Sequence, residues 1–183
     1  MEKFRLYKYG EKVLREKAVA VGEVTAQLRE LAFGMVDMMH ASRGVGLAAQ
    51  QVGHLERLCV IDIPEGCEET PELELFNAPI SMPLILFNPQ IVACNGSQCG
   101  EEGCLSFPGL GGKITRAMEV TCSYIDENGT SRIITARGLL ARALQHEIDH
   151  LNGVLYVDHM TAAERLVNAS KLKKLAKANG GAR

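Results

Sequence analysis

No apolar run in this chain approaches the roughly 18 residues that a membrane-spanning helix needs. Charge of one sign is equally scarce, since 20 lysines and arginines meet 22 aspartates and glutamates for a formal charge of −2. That balance argues against a general polyanion binder and leaves only a local basic patch open. No internal repeat is present, and no Gly-Lys-Ser/Thr completes a phosphate loop. The first residues, MEKFRLYKYGEK, hold no apolar stretch of the secretory kind, so a cytosolic setting is expected, with an organelle matrix as the other compartment. Against these absences stand 183 residues, 46% of them apolar, enough for one domain with its own core.

Six cysteines need an account: Cys59, Cys67, Cys94, Cys99, Cys104 and Cys122. An even number invites three disulfides, but a cytosolic setting makes reduced thiols the expected state. Some then serve as buried apolar residues and others as ligands or nucleophiles. Cys59 and Cys122 lie in strand-like apolar stretches and are expected to pack.

The pattern along the chain places helices at its start, middle and end. Gln27 to Ala41 carries Leu28, Leu31, Ala32, Met35, Met38 and Met39 at helical spacing, with Thr25 as cap and His40 as a polar C-terminal residue. Strands are expected at Leu58–Ile63, Leu84–Ala93 and Glu119–Ile125, the last turning at Asp126-Glu127-Asn128-Gly129 into a strand around Ile133. Residues 64–82 read as a solvated acidic loop without a direct role. A middle helix spans about Gly138 to Leu151, stopping near Asn152-Gly153. The last begins at Thr161, whose spacing to Glu164 fits a capping box, and runs to about Ala178 with Lys171, Lys173, Lys174 and Lys177 near its end. The class is α+β.

The sharpest chemical feature is His146-Glu147-Ile148-Asp149-His150. Histidines four residues apart project from one helical face and can share a metal, with the glutamate between them close enough to handle protons. At about 100° per residue, Leu139, Ala143, Glu147 and His150 share a side with His146. Leu140, Leu144, Ile148 and Leu151 cover the opposite side, and only Arg142, Gln145 and Asp149 form a polar strip. A helix apolar on two faces belongs in the middle of a domain. The strands, mixed or antiparallel, are therefore expected around this central metal-binding helix. Burying its polar groups without partners would cost on the order of 2 kcal/mol each. A metal removes that cost.

Two histidines need a third protein ligand and an open position if the site is catalytic. Cys104, in Glu101-Glu102-Gly103-Cys104-Leu105-Ser106, is the most suggestive candidate. Cys94, Cys99 and Cys104 also fall at five-residue intervals, but that spacing exceeds the usual zinc-knuckle pair. The small-residue segment Gly44 to Gly53 lets backbone approach a ligand, and its Gln50 is a candidate donor to a developing oxyanion.

Together these three segments resemble the peptide deformylases. Gly44-Val45-Gly46-Leu47-Ala48-Ala49-Gln50-Gln51 fits the first family motif, which moves the site glutamine from Gln50 to Gln51. Glu102-Gly103-Cys104-Leu105-Ser106 fits the second, and Gln145-His146-Glu147-Ile148-Asp149-His150 the third. General similarity extends over about residues 5–160, although Val13 stands where the family often has proline before Leu14-Arg15.

The resemblance implies a hydrolase of protein biosynthesis that removes the formyl group from N-terminal formyl-methionine, co-translationally, with release of formate. It implies one divalent metal on Cys104, His146 and His150, ferrous iron first and zinc, nickel or cobalt as other occupants. Glu147 would be the acid/base, with the Gln51 amide and the Leu105 backbone N–H as oxyanion donors. Val45, Gly46 and Gly103 would flank the substrate backbone, Leu139 and Ala143 would line the methionine pocket, and Arg116 would anchor the downstream peptide. Residues 1–160 would form the catalytic domain and 161–183 a basic helix and tail of the same unit, a candidate contact to the ribosome. The expected partners are N-formylmethionyl nascent peptides, with no membrane and no second subunit. The alternatives are a metallopeptidase built on the same His-Glu-x-x-His device, or a partner-binding module that has lost catalysis.

Overall fold

Two adjacent strands explain the layering. β2 (Leu58–Ile61) pairs antiparallel with β3 (Leu84–Asn95), setting Cys59 opposite Leu86, Ile61 opposite Leu84, Leu58 opposite Phe87 and Val60 opposite Ile85. Side chains alternate along a strand, so the first two pairs share one face and the last two the other. Every residue of β2 is buried, so both faces must be covered. In the computed structural model, which describes residues 4–180, a helix covers each. Leu140, Leu144, Ile148 and Leu151 of one helix pack on the face holding Cys59 and Ile61. Met35 and Met39 of another pack on the face holding Leu58 and Val60.

The N-terminal helix, α1, runs Ala26–Ala41, with the Thr25 side chain accepting from the Leu28 N–H as its cap. The strands β1 (Gly46–Ala48), β2, β3, β6 (Glu119–Ile125) and β7 (Ser131–Arg137) form one antiparallel sheet in the order β1-β2-β3-β6-β7. A second, two-stranded antiparallel sheet pairs β4 (Gln98–Gly103) with β5 (Gly111–Arg116). The central helix, α3, spans Gly138–Leu151, and the last, α4, spans Ala162–Ala178. A separate core of Leu14, Phe107, Ile114 and Tyr156 joins the small sheet to the C-terminal part of the chain. The class is α+β, as expected, with antiparallel sheets around the central helix.

The Asp126–Gly129 turn forms as read: the Asp126 carboxylate accepts from the N–H groups of Asn128 and Thr130, and Gly129 takes φ +78°. Three short strands, β1, β4 and β5, were not expected. β4 reads Gln-Cys-Gly-Glu-Glu-Gly, with little β propensity, and exists because β5 supplies its ladder.

The acidic loop needs correcting. Residues 64–82 contain a further helix, α2 (Pro71–Asn77), started by the Thr70 cap and by Pro71, whose missing N–H costs nothing there. The segment also has a structural task. Arg137, which precedes α3, provides no side-chain cap, and the Glu68 carboxylate accepts from the N–H groups of Leu139 (2.8 Å) and Leu140 (3.1 Å) instead. Asn77 pairs with both backbone groups of Arg137 at the same junction.

Candidate active site

α3 brings its chemistry inside because both of its sides are covered. Eleven of its fourteen residues are buried, among them His146, Glu147 and His150. The polar strip faces protein too. Gln145 pairs its amide with both backbone groups of Ala117, and Asp149 accepts from His159 at 2.8 Å. Arg142 donates to Glu102 at 2.8 Å and to the Ile114 carbonyl at 3.0 Å.

Cys104 follows directly on β4, and the ribbon carries it to α3. One donor atom each from Cys104, His146 and His150 lies within 4.8 Å of the others. The Cys104 Sγ is 3.3 Å from the His150 Nε2. A thiolate with two imidazoles suits ferrous iron, zinc, nickel or cobalt and suits hard oxygen-seeking cations poorly. The His146 Nδ1 is engaged 3.0 Å from Glu102, which leaves its other ring nitrogen for a metal. The donor set therefore fits a divalent metal of borderline softness.

Burial opposes charge on both histidines, with different outcomes. For His146 the bonds to Cys104 and Glu102 win and hold its pKa well above the usual value. For His150 burial is reinforced by the charge of His146, and the ring is held well below the usual value. Burial also lifts Glu147, to about 7, with Glu102 and Asp149 adding to the rise and His146 opposing it. A carboxylate poised there can both take and return a proton near neutrality. Its Oε2 is buried and has no hydrogen-bond partner among the described residues.

Gly46 makes the close fit around this carboxylate. A Cβ at Gly46 would lie 2.3 Å from the Glu147 Oε1, so only glycine lets β1 run against this carboxylate. Gln51 Oε1 accepts from the Ala48 N–H at 2.8 Å, which aims its Nε2 at the Cys104 Sγ (3.4 Å) and the Ser106 Oγ (3.2 Å). Gln50, the first candidate, instead turns away to the Glu16 carbonyl at 3.3 Å.

A cleft of about 780 Å³ opens onto this cluster, lined by Val45, Gly46, Gln51, Gly103, Leu105, Leu139, Ala143 and Glu147, among others. Leu139 and Ala143 line this cleft together with His146, as their shared helical face predicts. Among the described residues the Leu105 N–H has no hydrogen-bond acceptor.

The match with known proteins is as extensive as the site suggests. Residues 3–166 match the family model described as polypeptide deformylase. The chain belongs to the polypeptide deformylase family. Family membership makes it a hydrolase that removes the N-formyl group from newly made polypeptides. It is 39% identical over 178 residues to a peptide deformylase of Endomicrobium trichonymphae, covering 97% of this chain and 98% of that one. The crystal structure of a peptide deformylase from Thermus thermophilus superposes with a TM-score of 0.82 at 32% identity, covering 97% of this chain and 99% of that one. A Synechococcus elongatus peptide deformylase, solved in complex with actinonin, gives a TM-score of 0.77 at 38% identity and covers 100% of this chain and 91% of that one.

One expected deformylase residue stands elsewhere. Arg116 does not line the cleft and cannot anchor a downstream peptide. It is buried, with Nε and Nη2 on Glu102 at 2.9 and 3.0 Å and Nη1 on Asp149. Its position on β5 faces the interior, where an unpaired guanidinium would be costly, and Glu102 meets that need.

Glu102 is the residue that sequence reasoning undervalued. Its side chain is 4% exposed and gathers Arg116, Arg142 and the His146 ring. Burial favours its neutral form, but the bonds from His146 and Arg116 outweigh it and hold the carboxyl far below the ordinary range. The sequence signal for it is its place in the Glu-Gly-Cys motif, two residues before Cys104. Tyr156 was missed as well: its ring stacks on His146 with centroids 6.0 Å apart.

The remaining cysteines sort by burial. Cys59 and Cys122 pack inside, and burial raises both thiols, Cys122 to about 11. Cys67, Cys94 and Cys99 are exposed free thiols and do not join the Cys104 cluster.

Proposed function

We propose that Cys104, His146 and His150 hold one divalent metal, ferrous iron in the cell, and that Glu147 is the acid/base for deformylation of N-formylmethionyl nascent peptides. The observation carrying this reading is the Cys-His-His triangle beside a buried carboxylate with one free oxygen. When bound, the metal would supply Lewis-acid activation of water and polarisation of the formyl oxygen.

The protein's own groups do the rest. Glu147 takes a proton from the attacking water and returns one to the departing amine, a task suited to a carboxylate tuned to about 7. The Gln51 Nε2 and the Leu105 N–H donate to the oxygen on which charge develops; losing one such donor typically costs about 3–4 kcal/mol. Val45, Gly46 and Gly103 leave room for an extended substrate backbone, and Leu139 and Ala143 receive the methionine side chain. Glu102, fixed by Arg116 and Arg142, orients the His146 ring.

The setting is a cytoplasm of bacterial type and the protein acts as a monomer, with the basic end of α4 against the ribosome. Changing Lys171, Lys173, Lys174 and Lys177 to glutamate should lower co-sedimentation with ribosomes; an unchanged distribution rejects that contact. The catalytic reading is tested by incubating iron-loaded protein, without oxygen, with formyl-Met-Ala and acetyl-Met-Ala. Formate should appear from the first and no product from the second. Cleavage of internal peptide bonds would instead favour a metallopeptidase.

A further inference from the structure

Arg43 occupies a position that local folding does not favour for arginine. α1 ends with the Arg43 N–H donating to the His40 carbonyl and the Gly44 N–H to the Met39 carbonyl, each at 2.9 Å. This is the Schellman pattern, and it leaves Arg43 at the left-handed position, φ +56°. Glycine or asparagine is usual there because a Cβ crowds the following carbonyl. A bulky residue held in such a conformation directs attention to what its side chain does.

The side chain is exposed and makes no ion pair or hydrogen bond among the described residues. The carboxylate of Asp62, whose N–H holds the Val45 carbonyl, is taken by His40 at 2.7 Å. Arg43 lines the same cleft as Gly46 and Glu147. Lys8 also lines this cleft, and its ammonium is already committed to the Leu105 carbonyl at 2.7 Å. The rim carboxylate, Glu101, stands opposite Lys113 in the β4–β5 ladder. Arg43 is therefore the uncommitted cation of the cleft mouth among the described residues.

Its distance from the chemistry follows from the chain. Gly46 lies against the Glu147 carboxylate, and Arg43 is three residues earlier in a segment leading into β1. Extended backbone rises about 3.3 Å per residue, and this segment turns and bends before β1, so the Arg43 backbone lies no more than about 10 Å from Gly46. A substrate running along this segment would cover that distance in two or three residues.

We infer that Arg43 is a specificity-determining residue that favours an acidic side chain two or three residues beyond the formyl-methionine. The inference rests on the deformylase reading above. An exposed ion pair of this kind changes an equilibrium by about three- to fivefold and weakens with added salt.

The test measures formate release by the iron-loaded protein from formyl-Met-Ala-Glu-Ala, formyl-Met-Ala-Lys-Ala and the corresponding peptides with the charge one residue later, all as C-terminal amides. The glutamate peptides should have the higher kcat/KM, by about three- to fivefold at low salt, with the difference carried by KM and lost at high salt. Arg43→Glu should reverse the order. Arg43→Gly should level it while raising Tm, since glycine suits the left-handed turn. Equal values for glutamate and lysine peptides in the unmodified protein, or the same order in all three proteins, overturn the inference. Absence of formate from every peptide refutes the deformylase reading instead.

Discussion

α3 and α4 are helices of similar length that are held by opposite means. Eleven residues of α3 are buried, whereas α4 buries none. α4 carries its own start signal, because Thr161 accepts from the Glu164 N–H and Glu164 returns the bond to Thr161. α3 has no side-chain cap of its own and takes Glu68, some seventy residues earlier, to satisfy its first N–H groups. The lesson is that the helix carrying the chemistry depends on distant parts of the chain. That dependence is what lets β4 and the loop after it deliver Glu102 and Cys104 to His146 and His150.

The largest effect that separates the two helices is catalytic. Glu147→Gln on α3 should reduce formate release by about 10²–10⁴ while metal content, read by elemental analysis, stays intact. Cys104→Ala should abolish both metal and activity. Loss of metal in Glu147→Gln would show that Glu147 has a ligand or folding role, not one confined to proton transfer.

Packing should separate them next. Leu144 is fully buried between α3 and the sheet, so Leu144→Ala should cost about 2–5 kcal/mol by denaturant unfolding. Leu166 on α4 is 78% exposed, and Leu166→Ala should stay within about 0.5 kcal/mol. Similar losses at both would break the contrast.

The caps make a finer comparison. Glu68→Ala leaves two N–H groups of α3 without their acceptor and should cost about 1–3 kcal/mol. Thr161→Ala removes a cap from an exposed helix, where water can replace it, and should cost about 1 kcal/mol or less. An inverted order, measured as ΔG of unfolding, would mean that the distant cap is replaceable.

A smaller effect, in pH, concerns another local device. Burial raises the Asp126 carboxyl, but the bonds from Arg132 and from the Thr130 and Asn128 N–H groups outweigh it and hold the carboxyl below its ordinary value. Its contribution is therefore full above the unfolded pKa of about 3.9 and lost as pH falls through the lower folded value. Asp126→Asn should lower Tm at neutral pH, and the gap from the unmodified protein should close as acidity increases below about pH 4. A gap independent of pH would assign the effect to shape and not to charge.

These contrasts also explain what could be read in advance. The bounds of α3 and the capping box of α4 were legible because period and cap chemistry act within a few residues. The three motifs located Cys104, Gln51 and the two histidines. β4 was not legible, since Gln98–Gly103 has no strand-like composition and is defined by its pairing with β5. Arg116 looked like a cleft residue by its place after the second motif; its inward direction on β5 and the buried Glu102 carboxylate assign it to the interior.

By itself, the sequence determined the local devices: the helical faces of His146, Glu147 and His150, the Asp126 turn, the Thr161 cap and the donor types of the candidate metal site. Only the tertiary structure decided that Glu68 caps α3, that Glu102 joins Arg116, Arg142 and His146, and that Arg116 turns inward and away from the cleft. The physical reason is range. A hydrogen bond within one turn is encoded by adjacent residues, whereas a buried carboxylate finds its partners only after the packed sheets and helices have excluded water and fixed which charges must meet.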